Sequence, residues 1–341
     1  MTRGEVIVVT GDAQGRPPTP GGSQSASSDP TGSQRARGGV LVAVLPALPV
    51  LIAAAVAAAA VAVLTLHPAT SGLSAGGRHQ VASARPGLAA MRAATQNRKL
   101  AAAWITAQVS RGVVVGCDPQ MCQALVDDGF PAGDLQQYGT GAADALGAGV
   151  IVSTTAVRAA LGPRLVSVYA PAVLASFGSG QEMVAVLAAA PEGAAAYLSA
   201  ARADQLARQQ AGAQLLRNPN VQASASAHAE LADGKVDSRL LITVAGLAHM
   251  VPVRIREFAG AGPGADADAP LRSMTISGAA PSASASGDSY PDTVLAFLHA
   301  QQAPLPTEAT ISGAGAATVL RISVTAPSPL GLLPAQPSSG P

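Results

Sequence analysis

The chain has 341 residues, of which 48% are hydrophobic but only 3% aromatic and 12% charged, and 75 are Ala, so its apolar character comes from small aliphatic side chains. A formal net charge of +1 and the lack of any Lys/Arg run exclude a nucleic-acid binder, because phosphate binding needs a clustered basic surface. Lys99 and Lys235 are the only lysines, and the prevalence of Arg, Ala, Gly and Pro marks a GC-rich coding sequence rather than a chemistry.

Residues 1–39 carry Pro17, Pro18 and Pro20 among many Ser, Gly and Thr, with few aliphatic residues after Val9. Such a segment cannot bury enough surface to offset the entropy of ordering, so a disordered cytoplasmic tail is expected. From Val40 to Leu66 the chain runs 27 residues without a charge, where about 20 apolar residues suffice to cross a bilayer core. This reads as one transmembrane helix meeting the lipid bilayer through residues 40–66, with Pro46 and Pro49 in its first half. A cleavable signal peptide is the rival reading, but its apolar region is about 7 to 15 residues after a short basic start. Arg35 and Arg37 stand closer to one end of the span than Arg78 does to the other. The N-terminus is therefore placed in the cytoplasm and the larger part outside a plasma membrane.

Residues 67–87, rich in Gly and Ser, read as a linker. An α/β subdomain is expected over 88–190. A helix over about 87–109 carries Leu100, Trp104, Ile105 and Val109 at the period of a buried helix face. The run VVVG (113–116) leads into Asp118 and Pro119, an N-cap followed by proline at the first helical position, and Gly129 ends that helix. Strands are expected at 149–153, 164–177 and 182–190, with a short helix from Thr154 to Leu161. Strands alternating with helices point to a mixed sheet, Rossmann-like in this first half.

A second α/β subdomain is expected over 191–325. It opens on an Ala-rich helix (191–218), with Asp204 and Arg208 paired at i and i+4 on its exposed side, and continues with a helix at about 224–233. In VDSRLLITVAGLAHM, Leu240, Leu241, Val244, Leu247 and Ala248 form one stripe behind an Asp237 cap, with Arg239 on the solvent side. In VPVRIREF, Val251, Val253, Ile255 and Glu257 alternate with Pro252, Arg254, Arg256 and Phe258, as in a half-exposed strand. Low-complexity loops at 260–270 and 279–289 bracket a strand at LRSMTIS. A helix at YPDTVLAFLHAQ, a strand at TVLRISVTA and a disordered Pro-rich tail over 326–341 complete an α/β fold following one transmembrane helix. No internal repeat is visible.

Cys117 and Cys122 are the only cysteines, and they flank the first strand-to-helix turn. In an oxidising exterior a local disulfide is expected, with unpaired core thiols as the alternative; the C-x4-C spacing is not the redox C-x-x-C. His67, His79, His228, His249 and His299 are scattered, without a pair spaced for metal on a helix face. FGSGQE (177–182) and YGTGAAD (138–144) lack the spacing of phosphate loops, and Ser179 lacks the frame of a nucleophile elbow. Asp118 stands at the mouth of the first strand, where α/β sheets bind ligands, yet capping accounts for it. No catalytic residue, cofactor or metal is expected.

The runs WITAQVSRGVVVGCDPQMCQAL, LLRNPNV and LADGKVDSRLLITVAGLAHMVPVRIREF resemble single-pass membrane proteins of high-GC Gram-positive bacteria, over about 88–325. That resemblance implies an envelope location and an extracytoplasmic α/β module, and carries no catalytic motif. The stretch from Asn218 to Leu241 is also similar to a module found near bacterial cell-wall peptidase-like sequences, although no metal-ligand signature follows Phe258. The expected function is a membrane-anchored module that binds an envelope protein or a cell-wall component without catalysis. The alternatives are an enzyme or enzyme accessory of cell-envelope polysaccharide or peptidoglycan metabolism, and transmembrane signalling through the N-terminal tail.

Overall fold

A computed structural model of the chain describes residues 86–139, 147–278 and 289–334. The expected tail (1–39), transmembrane span (40–66) and linker to residue 85 lie outside the described residues. Among those described, no helix is long and apolar enough to cross a membrane. The architecture is mixed α/β, with two mixed sheets of five strands each.

The first sheet follows α1 (Pro86–Gln108), a helix rich in Ala, which has no side-chain freedom to lose on entering a helix. Its elements are β1 (Val115–Cys117), α2 (Pro119–Asp127), β2 (Leu135–Gln137), β3 (Val150–Ser153), α3 (Thr155–Leu161), β4 (Ala172–Phe177) and β5 (Val184–Ala188). The strand order is β2-β1-β3-β5-β4: β1 is parallel to β2 and β3, and β5 is antiparallel to β3 and β4. Alternate residues serve two apolar layers, as the period of two in a strand requires. Val150, Val152, Val184 and Val186 pack with Trp104, Ile105 and Met121, while Ile151 and Leu187 pack on the opposite face with Val157, Leu165 and Tyr169.

Two features here depart from the sequence expectation. The run 164–177 is not one strand: Leu165–Tyr169 forms a π-type turn, and Pro171 keeps Ala170 out of the helical region before β4 begins. Leu100, placed on the buried face of α1 by its spacing, is 46% exposed.

The second sheet is built from α4 (Ala194–Arg217), β6 (Val221–Ala223), α5 (Ala225–Ala232), α6 (Ser238–Met250), β7 (Val253–Ala259), β8 (Ser273–Gly278), α7 (Tyr290–His299), β9 (Thr310–Ser312) and β10 (Val319–Ser323). Its order is β6-β7-β8-β10-β9, with only β6 and β7 parallel. One face carries the core, in which Val253, Ile255, Phe258, Met274, Ile276, Leu320 and Ile322 meet Leu231, Leu240, Leu247, Val294 and Leu298. The other face is polar. Strict alternation would bury Glu257 and expose Phe258, but a bulge between Ile255 and Glu257 reverses this, leaving Glu257 exposed and Phe258 buried.

Charged residues expected at the surface of this half are buried. Asp204 and Arg208 pair at 2.9 Å beneath Ser238 and the backbone of Gly331, which donates to Asp204 Oδ1. Arg239 is 3% exposed and bonds Asp237 through two nitrogens, with a further bond to Thr325 O at 2.7 Å. Chain segments later in the sequence cover both pairs, and helical periodicity has no access to that.

The 260–270 loop and the segment from Ala326 join the two sheets. In the low-complexity loop, Ala261 O accepts from Trp104 Nε1 at 2.7 Å, Gly264 O accepts from Ser176 N at 2.8 Å, and Asp266 N donates to Leu174 O at 3.0 Å. The edge strand β4 thereby gains a short partner. Ala326 pairs with Val109, and Leu333 packs on the second core, so residues 326–334 of the expected tail belong to the fold. Residues 335–341 lie outside the described residues.

Candidate functional site

The carboxyl ends of β1 and β3 lie side by side, and the chain passes from β1 to β2 on one side and then to β3 on the other, the kind of crevice in which open α/β sheets bind ligands. In this protein its own side chains fill the position. Asp118 Oδ1 accepts from Gln120 N and Met121 N at 3.0 and 3.1 Å. Asp118 Oδ2 accepts from Thr154 Oγ1, which accepts from Val157 N at 3.3 Å. One carboxylate therefore serves the N-terminus of α2 directly and that of α3 through a hydroxyl. Asp118 and Thr154 are 3% and 2% exposed. Cys117 and Cys122 stand in the same corner with their sulfurs bonded, 5.4 Å apart at Cα.

The glycine-rich turn at 177–182 joins helices rather than cradling an anion. At Gly178, with φ of 76°, the side chain of Asn97 occupies the space a Cβ would need, and Asn97 Nδ2 donates to Glu182 O at 2.7 Å. Thr155 Oγ1 and Arg158 Nη2 both donate to Gln181 O at 2.6 Å. Of the YGTGAAD stretch, only Tyr138 and Gly139 are among the described residues. His228, His249 and His299 sit on α5, α6 and α7; His67 and His79 lie outside the described residues. Among the described residues, no three His, Cys, Asp or Glu side chains are grouped to hold a metal ion.

A buried charge cluster lies at the seam between the sheets. Arg272 is 1% exposed, its three guanidinium nitrogens have no hydrogen-bond partner, and the group lies 5.6 Å from the centre of the Trp104 ring. Burial lowers Arg272 to about 10, against the opposing charge of Asp237. Arg272 and Arg239 thus share one buried carboxylate. The ring face of Trp104 offers the remaining compensation, which suits a joint between two layers.

Three open surfaces stand out among the described residues. A groove of about 640 Å³ runs between α1 and α2, with Arg98 and Lys99 on α1 facing Asp127 and Asp128 at the end of α2. A smaller apolar hollow of about 310 Å³ lies between α4 and α6 beside Leu333 and His249. The third is the uncovered face of the second sheet. There Arg254 holds Gln222 Oε1 through Nε and Nη2 at 3.2 and 3.0 Å, Arg256 Nε donates to Ser277 Oγ at 3.2 Å, and Arg321 Nε donates to Ser273 Oγ at 2.9 Å. Each guanidinium is pinned by a neighbouring strand, and Arg256 and Arg321 have no ion-pair partner among the described residues. Glu257 on the same face is tied to Thr275 Oγ1 at 3.0 Å.

The spacing of Arg254 and Arg256 marks one polar strand face in the sequence. That Arg321 joins them follows only from the pairing of β10 with β8. No family model matches the chain, and no similar curated protein or solved structure is found.

Proposed function

We propose that the chain is a membrane-anchored extracytoplasmic module that binds an anionic envelope partner, either a cell-wall component or an acidic segment of an envelope protein, without catalysis. The observation that carries this reading is the uncovered face of the second sheet, where Arg254, Arg256 and Arg321 are held in place by side chains of adjacent strands. Preorganised guanidinium groups match carboxylate and phosphate oxygens in geometry as well as charge, and binding them orders little that is not already ordered. The Rossmann-like part of the first sheet supports the non-catalytic reading, because its ligand position is occupied by Asp118 and Thr154. Anchoring rests on the charge-free run 40–66, and the orientation on Arg35 and Arg37. A disulfide between Cys117 and Cys122 suits an oxidising exterior.

The test is co-sedimentation of the full chain, held in nanodiscs, with purified cell walls. The wild type is expected to bind at low salt and to be released near 1 M salt, where the screening length falls to about 3 Å. The R254E/R256E/R321E variant is expected to bind at least tenfold more weakly. Equal retention of that variant sinks the arginine face. Reporters fused after residue 90 test orientation: activity from a cytoplasm-only reporter reverses it.

A further inference from the structure

We infer that the outer face of α1 lies on the anionic surface of the bilayer that holds the chain's own span. This rests on the reading of residues 40–66 as a transmembrane segment. From Gly87 to Gln96 every residue of α1 is exposed or half-exposed, and the first buried one is Asn97. Over these first three turns only Ala90 and Ala94 are half-exposed, and the other residues from Gly87 to Gln96 are exposed. Leu88 and Met91 are 52% and 67% exposed, Arg92 and Lys99 are exposed, and Arg98 is half-buried. At roughly 100° per residue, Leu88, Met91, Arg92, Thr95, Arg98 and Lys99 share an arc of about 120°. Asn97, Ala101 and Trp104 take the opposite side against the first sheet, and the buried Ile105 lies at the margin between the two.

No acidic residue occurs anywhere in α1. Apolar side chains interleaved with cations and free of carboxylates fit the boundary between acyl chains and negative headgroups. Asp127 and Asp128 across the groove are outnumbered by Arg92, Arg98 and Lys99. Connectivity chooses the same occupant. Residues 67–85 separate the span from α1 and reach at most about 65 Å at roughly 3.5 Å per residue. The helix is thus the first described element after the membrane, and its exposed face begins at its third residue.

The experiment places the full chain in nanodiscs of phosphatidylcholine, with or without phosphatidylglycerol, and reads quenching of a fluorophore by a lipid-borne quencher. Labels sit at Met91→Cys and, as a control, at Leu206→Cys on α4, where Leu206 is 59% exposed. The expected result is quenching at position 91 several-fold above that at 206 in the anionic discs, lost in R92E/K99E. Protection of amides 88–99 from hydrogen exchange on adding anionic lipid, in the unlabelled chain, is the companion result. Equal quenching at 91 and 206 in a chain that resists carbonate extraction overturns the inference and leaves the span standing. Quenching at 91 that is indifferent to phosphatidylglycerol overturns the anionic surface. Extraction of the chain by carbonate removes the span and the inference together.

Discussion

The two sheets are entered by the same run of elements and finished differently. α1, β1 and α2, like α4, β6 and α5, give a long helix, a three-residue strand and a short capped helix. Both short helices stop at Asp-Gly, Asp128-Gly129 and Asp233-Gly234, with the glycines at φ of 88° and 66°. The corners that follow β1 and β6 are where they part. After β1, a buried carboxylate, a second-helix hydroxyl and a disulfide converge; after β6, Ser224 alone accepts from Ala227 N. The first sheet is covered on both faces, whereas the second leaves a polar face to solvent. The first half thus closes the place where its fold could take a ligand, and the second half keeps its open surface on the flat of the sheet. The proposed binding is therefore to be tested first on that face and then at the strand ends.

The largest expected effect falls at the seam. Removing Asp237 leaves Arg239 and Arg272 buried without their shared carboxylate, so D237A is expected to cost about 3–5 kcal/mol in chemical denaturation. A loss under about 1 kcal/mol would mean that the joint between the sheets does not depend on this cluster. The pH dependence has a defined sign. Burial alone raises Asp237, but the hydrogen bonds and charge of Arg239, with Ser328 adding, bring it below its ordinary value. A depressed carboxylate contributes its full stability above the unfolded value of about 3.9 and loses it as pH falls through the folded value. The acid limb of the denaturant midpoint below about pH 4 should therefore flatten in D237N.

Next comes the disulfide. Its loop is short, so C117S/C122S is expected to cost about 2 kcal/mol. Hydrogen exchange should show the loss at β1 and α2 and leave α5 and α6 unchanged. If both halves loosen alike, the contrast between a stapled and an unstapled corner is wrong.

Elements governed by local chemistry were legible in the sequence. Asp118-Pro119, Thr154, Ser224 and Asp237 stand at helix starts because a side-chain oxygen must satisfy the first free N–H groups, and that requirement is read within a few residues. The stripe from Leu240 to Ala248 is legible for the same reason: a helix face is periodic. What was hidden depends on partners distant in the chain. β2 and β9 carry little apolar signal and exist because a neighbour pairs with them. The loop at 260–270 looks like filler until Trp104 and Ser176 bond its carbonyls. Arg208, Arg239 and Arg272 look like surface cations until segments at 325–331 and the seam enclose them. A one-residue bulge in β7 decides which side Glu257 and Phe258 face, and spacing does not encode it. The candidate surface was half visible for that reason, since Arg254 and Arg256 share a strand and Arg321 arrives by pairing.

The two helix caps give the sharpest comparison, because each can be removed by a single substitution and set against the other. S224A removes one acceptor from a half-exposed corner, where water can serve Ala227 N instead, so a loss of about 1 kcal/mol or less is expected. D118A removes the acceptor for Gln120 N, Met121 N and Thr154 Oγ1 in a corner where Asp118 and Thr154 are themselves buried, so the loss should lie near 2 kcal/mol, the upper end for a cap. The decisive measurement is coupling to the disulfide. Asp118 lies between Cys117 and Cys122, so D118A combined with C117S/C122S should depart from the sum of the separate losses by at least about 0.5 kcal/mol. S224A combined with the same pair should be additive, because its corner belongs to the other sheet. Additivity in both cases would show that carboxylate and disulfide hold the first corner independently, and that the two corners differ in the number of their bonds and not in kind.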